Sequence, residues 1–356
     1  MAPVVLKSTG ELSAELVNQL MGSTLPGVVT ACEVTFLGEG VGIMSSIARA
    51  NLTFEDGSKG SLIHKCAAQN ENKAAAQGLD FYANEINFYR YLAASSPLRS
   101  PRCLYGELDP GSYDFLLVLE DLGDAEAGDQ LTGCTSEEIL LVAQRAAQLH
   151  ATYWGKTDAI SWLHPHNVKE ISEFKRDVIF VPGVESTIEK FPELFNDDLA
   201  DIVRRSADQF VELFDATMQG PLTLVHGDYR VDNLFFIRRP ELEIIAVDWQ
   251  NCGAAKGPTD VAYFLSQGCD PALRQEIEMQ ALRLYHDTLL KEGVSEFSFD
   301  ACLRDYRMCM LTSLITPIAV CGTLDSGNER GMEMGKVMLS RNLAAIEDLG
   351  CAEFLK

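Results

Sequence analysis

The stretch LVHGDYRVDNLFFIRRPELEIIAVDWQ, Leu224–Gln250, decides how this chain folds. LFFI and LEIIAV are short apolar runs rich in β-branched and aromatic residues, and they read as two strands joined by Arg238-Arg239-Pro240-Glu241. Asp228 and Asn233 precede the first strand and Asp248 follows the second, so the three fall within 21 residues. Each alone reads as a turn residue, because Asp and Asn cap strand ends commonly. Together they ask for a partner, since a buried carboxylate without one is costly. Folding back of the hairpin is expected to bring Asn233 near Asp248, with Asp228 in a loop that starts at a tight His226-Gly227. Asn and Asp oxygens suit Mg²⁺, a hard cation that keeps waters and phosphate oxygens in its shell. Asp228 is then left to accept a proton from an attacking hydroxyl.

Outward from the hairpin the chain has two regimes. Up to about Leu122 it is strand-rich with one main helix. SSIARANLTFEDGSKGSLIHKCA reads as a β-hairpin turned at Asp56-Gly57. FYANEINFYRYLAAS reads as a helix with Phe81, Ile86, Phe88, Tyr89 and Leu92 on its apolar side, stopped by Pro97 and Pro101. A strand is expected over Phe115–Glu120, and GDAEAGDQLTGC after it suits a linker. From Thr135 onward the pattern is mostly helical. Thr135 and Glu138 form a capping box, a second helix starts at Asp270-Pro271 and stops near Gly293, and a third runs through DACLRDYRMCMLTSLI. The segment Gly155–Gly220 is helical in places. The fold class is therefore α+β and bilobal: residues 1–122 as a small β-rich lobe, residues 123–356 as a larger, mainly helical one.

The 356 residues suffice for a large core, and 29 basic against 52 acidic side chains leave a formal charge of −23. Such a surface repels nucleic acid and anionic membranes, so no nucleic-acid partner is expected. Ten scattered cysteines form no C-x-x-C pair and match no zinc framework, which points to a reducing cytoplasm. No basic-then-apolar leader is visible at the N-terminus. The longest apolar run, Met308–Gly322, is too short to span a bilayer and reads as a buried helix bent at Pro317.

The spacing of Asp228, Asn233 and the terminal Asp248 agrees with a kinase catalytic loop. HGDYRVDNLFF followed by IIAVDW resembles the aminoglycoside phosphotransferase and choline kinase group, a small-molecule branch of the protein-kinase-like fold. KGPTDVAYFL, VLEDL and AAQLHATYW are more similar to its ecdysteroid kinase-like subgroup, and the resemblance covers roughly Val34 to Leu290. It implies an ATP- and Mg²⁺-dependent kinase with Asp228 as the base and Asn233 and Asp248 as metal ligands. Arg230 would steady the transferring phosphoryl group, or else be a surface loop arginine. His226 would shape the loop, and Asp260 would hold it through backbone hydrogen bonds. Trp249 and Gln250 depart from the Phe and Gly of a D-F-G motif, so a flip of that motif is not expected.

In the first lobe the resemblance places Lys65 on the strand of the phosphate-pairing lysine, with Glu85 as its helix partner. Gly38, Gly40 and Gly42, with Ser45 and Ser46, form a glycine-rich turn suited to a phosphate lid, although the G-x-G-x-x-G pattern is not met. Glu120, Asp121 and Leu122 would be the connector whose backbone meets adenine. Only eleven residues separate Asp248 from Asp260, too few for a peptide-docking activation segment, so a small-molecule alcohol is the expected acceptor. Trp154, Trp162, Tyr263 and Tyr306 stand ready to stack on it, with core packing the default use of each. A catalytically silent nucleotide-binding module and a metal-dependent phosphohydrolase are the rival expectations.

Overall fold

The computed structural model describes residues 3–37, 44–70, 72–123, 125–165, 168–238, 240–323 and 329–356. Packing divides the chain into two units. One comprises Met1–Ala125 with Ala246–Asn251, and the other Glu126–Ile245 with Cys252–Lys356.

The first unit opens with α1 (Ala14–Met21), then β1 (Val29–Leu37), β2 (Ser45–Phe54) and β3 (Lys59–Ala67). Helices α2 (Asn72–Gly78) and α3 (Phe81–Asn87) follow, then β4 (Cys103–Leu108) and β5 (Phe115–Glu120). The strands form one antiparallel sheet in the order β1-β2-β3-β5-β4. The β2–β3 hairpin runs in register from Thr53↔Lys59 to Ser45↔Ala67. Its turn needs Gly57, whose φ of +82° suits a residue without Cβ. Leu6, Leu12, Val17 and Met21 pack against Leu52, Leu62, Leu116 and Val118 to make the core. Helix α3 widens into a π turn over Phe88–Leu92. Its buried side is Tyr82, Glu85, Ile86, Phe88, Tyr89 and Leu92, with Phe81 only half-buried.

The short segment Ala246–Asn251 belongs to this unit although it lies far along the chain. The Ala246 N–H donates to the Arg99 carbonyl (2.8 Å). Trp249 is fully buried and stacks on Phe88, centroids 3.6 Å apart and planes 7° from parallel. Trp249, the residue after Asp248, is thus a core residue, stacked on the helix that carries Glu85.

The second unit contains β6 (Glu126–Ala127), α4 (Ser136–Tyr153), α5 (Lys169–Phe174), α6 (Val181–Lys190), α7 (Asp197–Asp208) and α8 (Phe210–Thr217). Then come β7 (Thr223–Val225), β8 (Leu234–Ile237), β9 (Glu243–Ala246), whose last residue passes to the first unit, and β10 (Gly253–Ala255). The chain ends in α9 (Pro258–Gly268), α10 (Pro271–Lys291), α11 (Phe299–Ser313), α12 (Ile315–Thr323) and α13 (Glu329–Asp348). The sheets are β10-β7 and β6-β8-β9. The capping box is present: Thr135 Oγ1 accepts from Glu138 N–H, and the Glu138 carboxylate accepts from Thr135 N–H. Asp270 caps α10 by accepting from Ala272 and Leu273. α9 is buried along nearly its whole length, which makes it the axis of this unit.

Two expectations change. The apolar run Met308–Gly322 is two helices parted at Leu314 rather than one bent at Pro317. A proline cannot donate to the carbonyl four residues back and crowds it, so the break falls on the turn before it. The segment after Asp124 is no loose linker. Glu126 and Ala127 pair with Phe236 and Phe235, and Gly128 N–H donates to the Leu234 carbonyl (2.8 Å). A Cβ on Gly128 would lie 2.2 Å from the Val231 carbonyl oxygen. Gly128→Ala is therefore expected to push the 226–233 loop aside and cost about 1–3 kcal/mol, read as a lowered urea midpoint. An unchanged midpoint would contradict the closeness of Gly128 to that loop.

Candidate active site

In the first unit Lys65 sits on β3, between β2 and β5, and only 5% of it is exposed. Its ammonium donates to Glu85 Oε1 (2.7 Å) and to Asp248 Oδ1 (2.9 Å). Glu85 comes from α3 and is 1% exposed. Burial alone would pull the Lys65 ammonium down, but Asp248 and Glu85 outweigh it and hold it above the ordinary lysine value. Burial raises the Glu85 carboxyl, with Lys65 opposing. Asp248 adopts φ +67°, the left-handed region that Asp tolerates better than most residues. Three residues spread over the sequence are thus fixed on one point, where two carboxylates share one ammonium.

The other predicted residues of this unit are placed as follows. Ser45 is buried and Ser46 half-buried at the start of β2, opposite Ala67 and Cys66. Glu120 ends β5, where its Oε1 accepts from Arg102 N–H (2.9 Å) and its own N–H donates to the Arg102 carbonyl (2.9 Å). Asp121 accepts from Arg49 Nε (2.7 Å), and Leu122 is half-buried. Gly38, Gly40 and Gly42 lie outside the described residues.

In the second unit the 226–233 loop is held from several sides. Gly227 turns it with φ +78°. Asp260, in the first turn of α9, accepts from the N–H groups of His226 (2.7 Å) and Gly227 (2.9 Å). It also pairs with His150 Nε2 (3.2 Å), whose Nδ1 meets Tyr285 Oη (2.9 Å). Burial would raise the Asp260 carboxyl, but these partners hold it below the ordinary value. His226 thus shapes the loop, through its N–H and through Nδ1, which accepts from Asp228 N–H (3.3 Å).

The Asp228 carboxylate is one-quarter exposed and ringed by donors. Oδ1 accepts from Tyr263 Oη (2.9 Å). Oδ2 accepts from Asn233 Nδ2 (2.9 Å) and Arg230 Nε (3.3 Å). Asn233 Nδ2 also donates to the Asp228 carbonyl (2.9 Å), so both of these bonds are made by the nitrogen end of the amide. Arg230 is embedded rather than a surface arginine: its Nη1 also contacts Asp232 Oδ2 (3.3 Å) and Met334 Sδ (3.4 Å).

Sequence reasoning missed two residues of this loop's frame. Gln130 is fully buried; its Oε1 accepts from Val231 N–H (2.9 Å) and its Nε2 donates to the Gln267 carbonyl (2.8 Å). Its backbone N–H donates to Asp232 Oδ1 (2.7 Å), and Arg341 on α13 donates to its carbonyl (2.7 Å). Nothing local in DQLTG signals that role. Tyr263 did carry a signal, standing three residues after Asp260 and hence on the same helix face. Tyr306 and Trp154 keep to packing and structural bonds: Tyr306 donates to Glu278 (2.7 Å), and Trp154 lies on Phe297. Trp162 is half-buried.

One unit built on a five-stranded antiparallel sheet and a second, mainly helical unit define a protein-kinase-like fold. Solved structures share it. The GDP and kanamycin complex of APH(2")-IIIa matches with TM-score 0.56 at 14% identity, covering 92% of this chain and 97% of that one. Amicoumacin kinase hAmiN with AMP-PNP and Ca²⁺ matches with 0.52 at 18%, covering 88% of each. The ethanolamine kinase of Plasmodium vivax matches with 0.50 at 12%, covering 87% and 81%. At such identities the likeness is one of fold. No curated protein matches the sequence significantly. The ecdysteroid kinase-like family model matches residues 39–294, and the chain belongs to that family. No helix among the described residues is long and apolar enough to cross a membrane.

Proposed function

We propose that this protein is an ATP- and Mg²⁺-dependent phosphotransferase that moves the γ-phosphoryl group to a hydroxyl of a small molecule. The observation that carries the reading is Lys65, a buried ammonium oriented by Glu85 and Asp248 in a chain of kinase-like family. Such an ammonium, held by a helix glutamate, is the arrangement that receives α- and β-phosphates. Asn233 and Asp248 are the ligands for Mg²⁺. The donor set fits that ion: it is all oxygen, and at Asp248 two carboxylates share a single ammonium, an excess of negative charge that a cation offsets. When bound, Mg²⁺ supplies neutralisation of phosphate charge.

The chain's own residues supply the rest. Asp228 accepts the proton of the attacking hydroxyl, while Arg230 beside it offsets charge on the moving phosphoryl group. Gly38, Gly40, Gly42, Ser45 and Ser46 cover the phosphates, and the backbone of Glu120–Leu122 meets the adenine edge. The short gap from Asp248 to Asp260 favours a small acceptor over a peptide. Ten scattered cysteines with no C-x-x-C pair fit a reducing cytoplasm, and the charge of −23 argues against a nucleic-acid acceptor.

Nucleotide titration with and without Mg²⁺, on the parent and on Asp248→Ala, tests the reading. The parent is expected to bind ATP more tightly with the metal, and the variant to lose that metal-dependent increment. Equal binding by both proteins under both conditions would remove Asp248 from the metal site.

A further inference from the structure

Helix α9 reaches the 226–233 loop twice within one turn. Asp260 takes two backbone N–H groups of the loop, and Tyr263, three residues on, donates to the carboxylate of Asp228 (2.9 Å). We propose that Tyr263 is a positioning residue for phosphoryl transfer, fixing the Asp228 carboxylate so that one oxygen is held by the phenol while the other faces the acceptor hydroxyl. The inference rests on the phosphotransferase reading and deepens it.

The donor pattern gives the direction of this bond. A carboxylate only accepts, so the phenol donates. Burial, and then the neighbouring Asp228 charge, raise the Tyr263 phenol well above its ordinary value, so it stays a donor throughout the working range of pH. Tyr263 is only 6% exposed, and its helix is buried on all sides, so its ring is rigidly seated.

The other oxygen, Oδ2, is held more loosely on one side. Its bond from Arg230 Nε is 3.3 Å long, and that guanidinium has Asp232 as a second partner. Replacing the arginine by an incoming hydroxyl at Oδ2 therefore sacrifices little. Breaking the Tyr263 bond at Oδ1 would instead strand a buried phenol. Oδ2 is thus the oxygen that takes the proton, and Oδ1 is the anchor.

Two effects of removing the phenol oppose each other. A carboxylate that loses a donor becomes more basic, which by itself helps proton transfer. It also gains freedom to rotate, and misplacement of a base by an ångström costs about 10²-fold. Orientation wins on these magnitudes, so Tyr263→Phe is expected to slow the reaction, and to do so without affecting nucleotide binding.

The test uses the full chain with Mg²⁺ and ATP, with water as the acceptor so that no substrate need be identified. Tyr263→Phe is expected to lower kcat for ATP hydrolysis about 10- to 100-fold and to leave KM for ATP unchanged within two-fold. Incorporating 3-fluorotyrosine at position 263, which restores the donor, is expected to recover most of the rate. A second arm needs no turnover. In protein labelled with carboxyl-¹³C aspartate, Tyr263→Phe shifts the Asp228 resonance, assigned by its loss in Asp228→Asn, and leaves that of Asp260 in place. An unmoved Asp228 resonance overturns the contact. A moved resonance with unchanged kcat overturns the positioning role. Absence of ATP turnover in the parent sinks the phosphotransferase reading and the role with it, while the resonance still reports the contact.

Discussion

Asp228→Asn is expected to lower phosphoryl transfer about 10²- to 10⁴-fold, the usual worth of a positioned general base, with nucleotide affinity largely intact. The substitution keeps the shape of the side chain and removes both its charge and its ability to take a proton. It also creates a conflict of donors. Oδ2 now accepts from Asn233 Nδ2 and Arg230 Nε, and an amide nitrogen there would face two donors. The new amide is therefore expected to turn its oxygen to that side and its nitrogen toward Tyr263, whose phenol then serves as acceptor. Nucleotide binding escapes because the groups assigned to phosphate and metal on the first unit, Lys65, Glu85 and Asp248, make their own bonds within that unit. Turnover of ATP with a panel of small alcohols, beside a nucleotide titration, reads both effects. Equal turnover by parent and variant would end the assignment of Asp228 as base.

Much of this arrangement was legible in the sequence because it depends on local chemistry. The capping box at Thr135 and Glu138, the Asp270 cap, the Gly57 turn and the strand over Phe115–Glu120 each rest on a few adjacent residues. The meeting of Lys65 with Glu85 was readable only through family resemblance, since twenty residues of loop and helix separate them. What stayed hidden is long-range. Gln130 joins Val231, Gln267 and Arg341 across more than a hundred residues of chain, and an acidic, glycine-bearing segment gives no hint of a buried glutamine. The stacking of Trp249 on Phe88 is of the same kind, a tertiary contact that decides which unit a six-residue segment joins. Tyr263 lay between these cases. Its position on the Asp260 face was readable, but aromatic residues in helices fill cores so often that packing was the natural first reading.

Lys65→Met is expected to destabilise the first unit by about 3 kcal/mol, in the range for breaking a buried ion pair by removing one partner. The loss is large because two carboxylates depend on one ammonium. Glu85 is almost wholly buried, so without Lys65 it must take up a proton or stay charged without its partner. The double substitution Lys65→Met/Glu85→Leu is expected to recover a large part of that loss, because an apolar pair of similar volume removes the desolvation cost along with the attraction. Only Asp248, the more exposed of the two acids, then remains at that point. The pH dependence follows from the direction of the lysine shift. Its folded value lies above the ordinary 10.5, so its contribution is fully present below that pH and fades as pH rises through the folded value. The difference between parent and Lys65→Met in urea unfolding should therefore be flat from neutrality to about pH 10 and shrink only beyond it. A double variant no more stable than Lys65→Met would mean that the cost lies in lost packing of the lysine stem rather than in the stranded carboxylate. Both variants are expected to lose the phosphate-binding contribution of Lys65 equally. Stability recovered without nucleotide affinity would separate the structural duty of this ammonium from its duty toward phosphate.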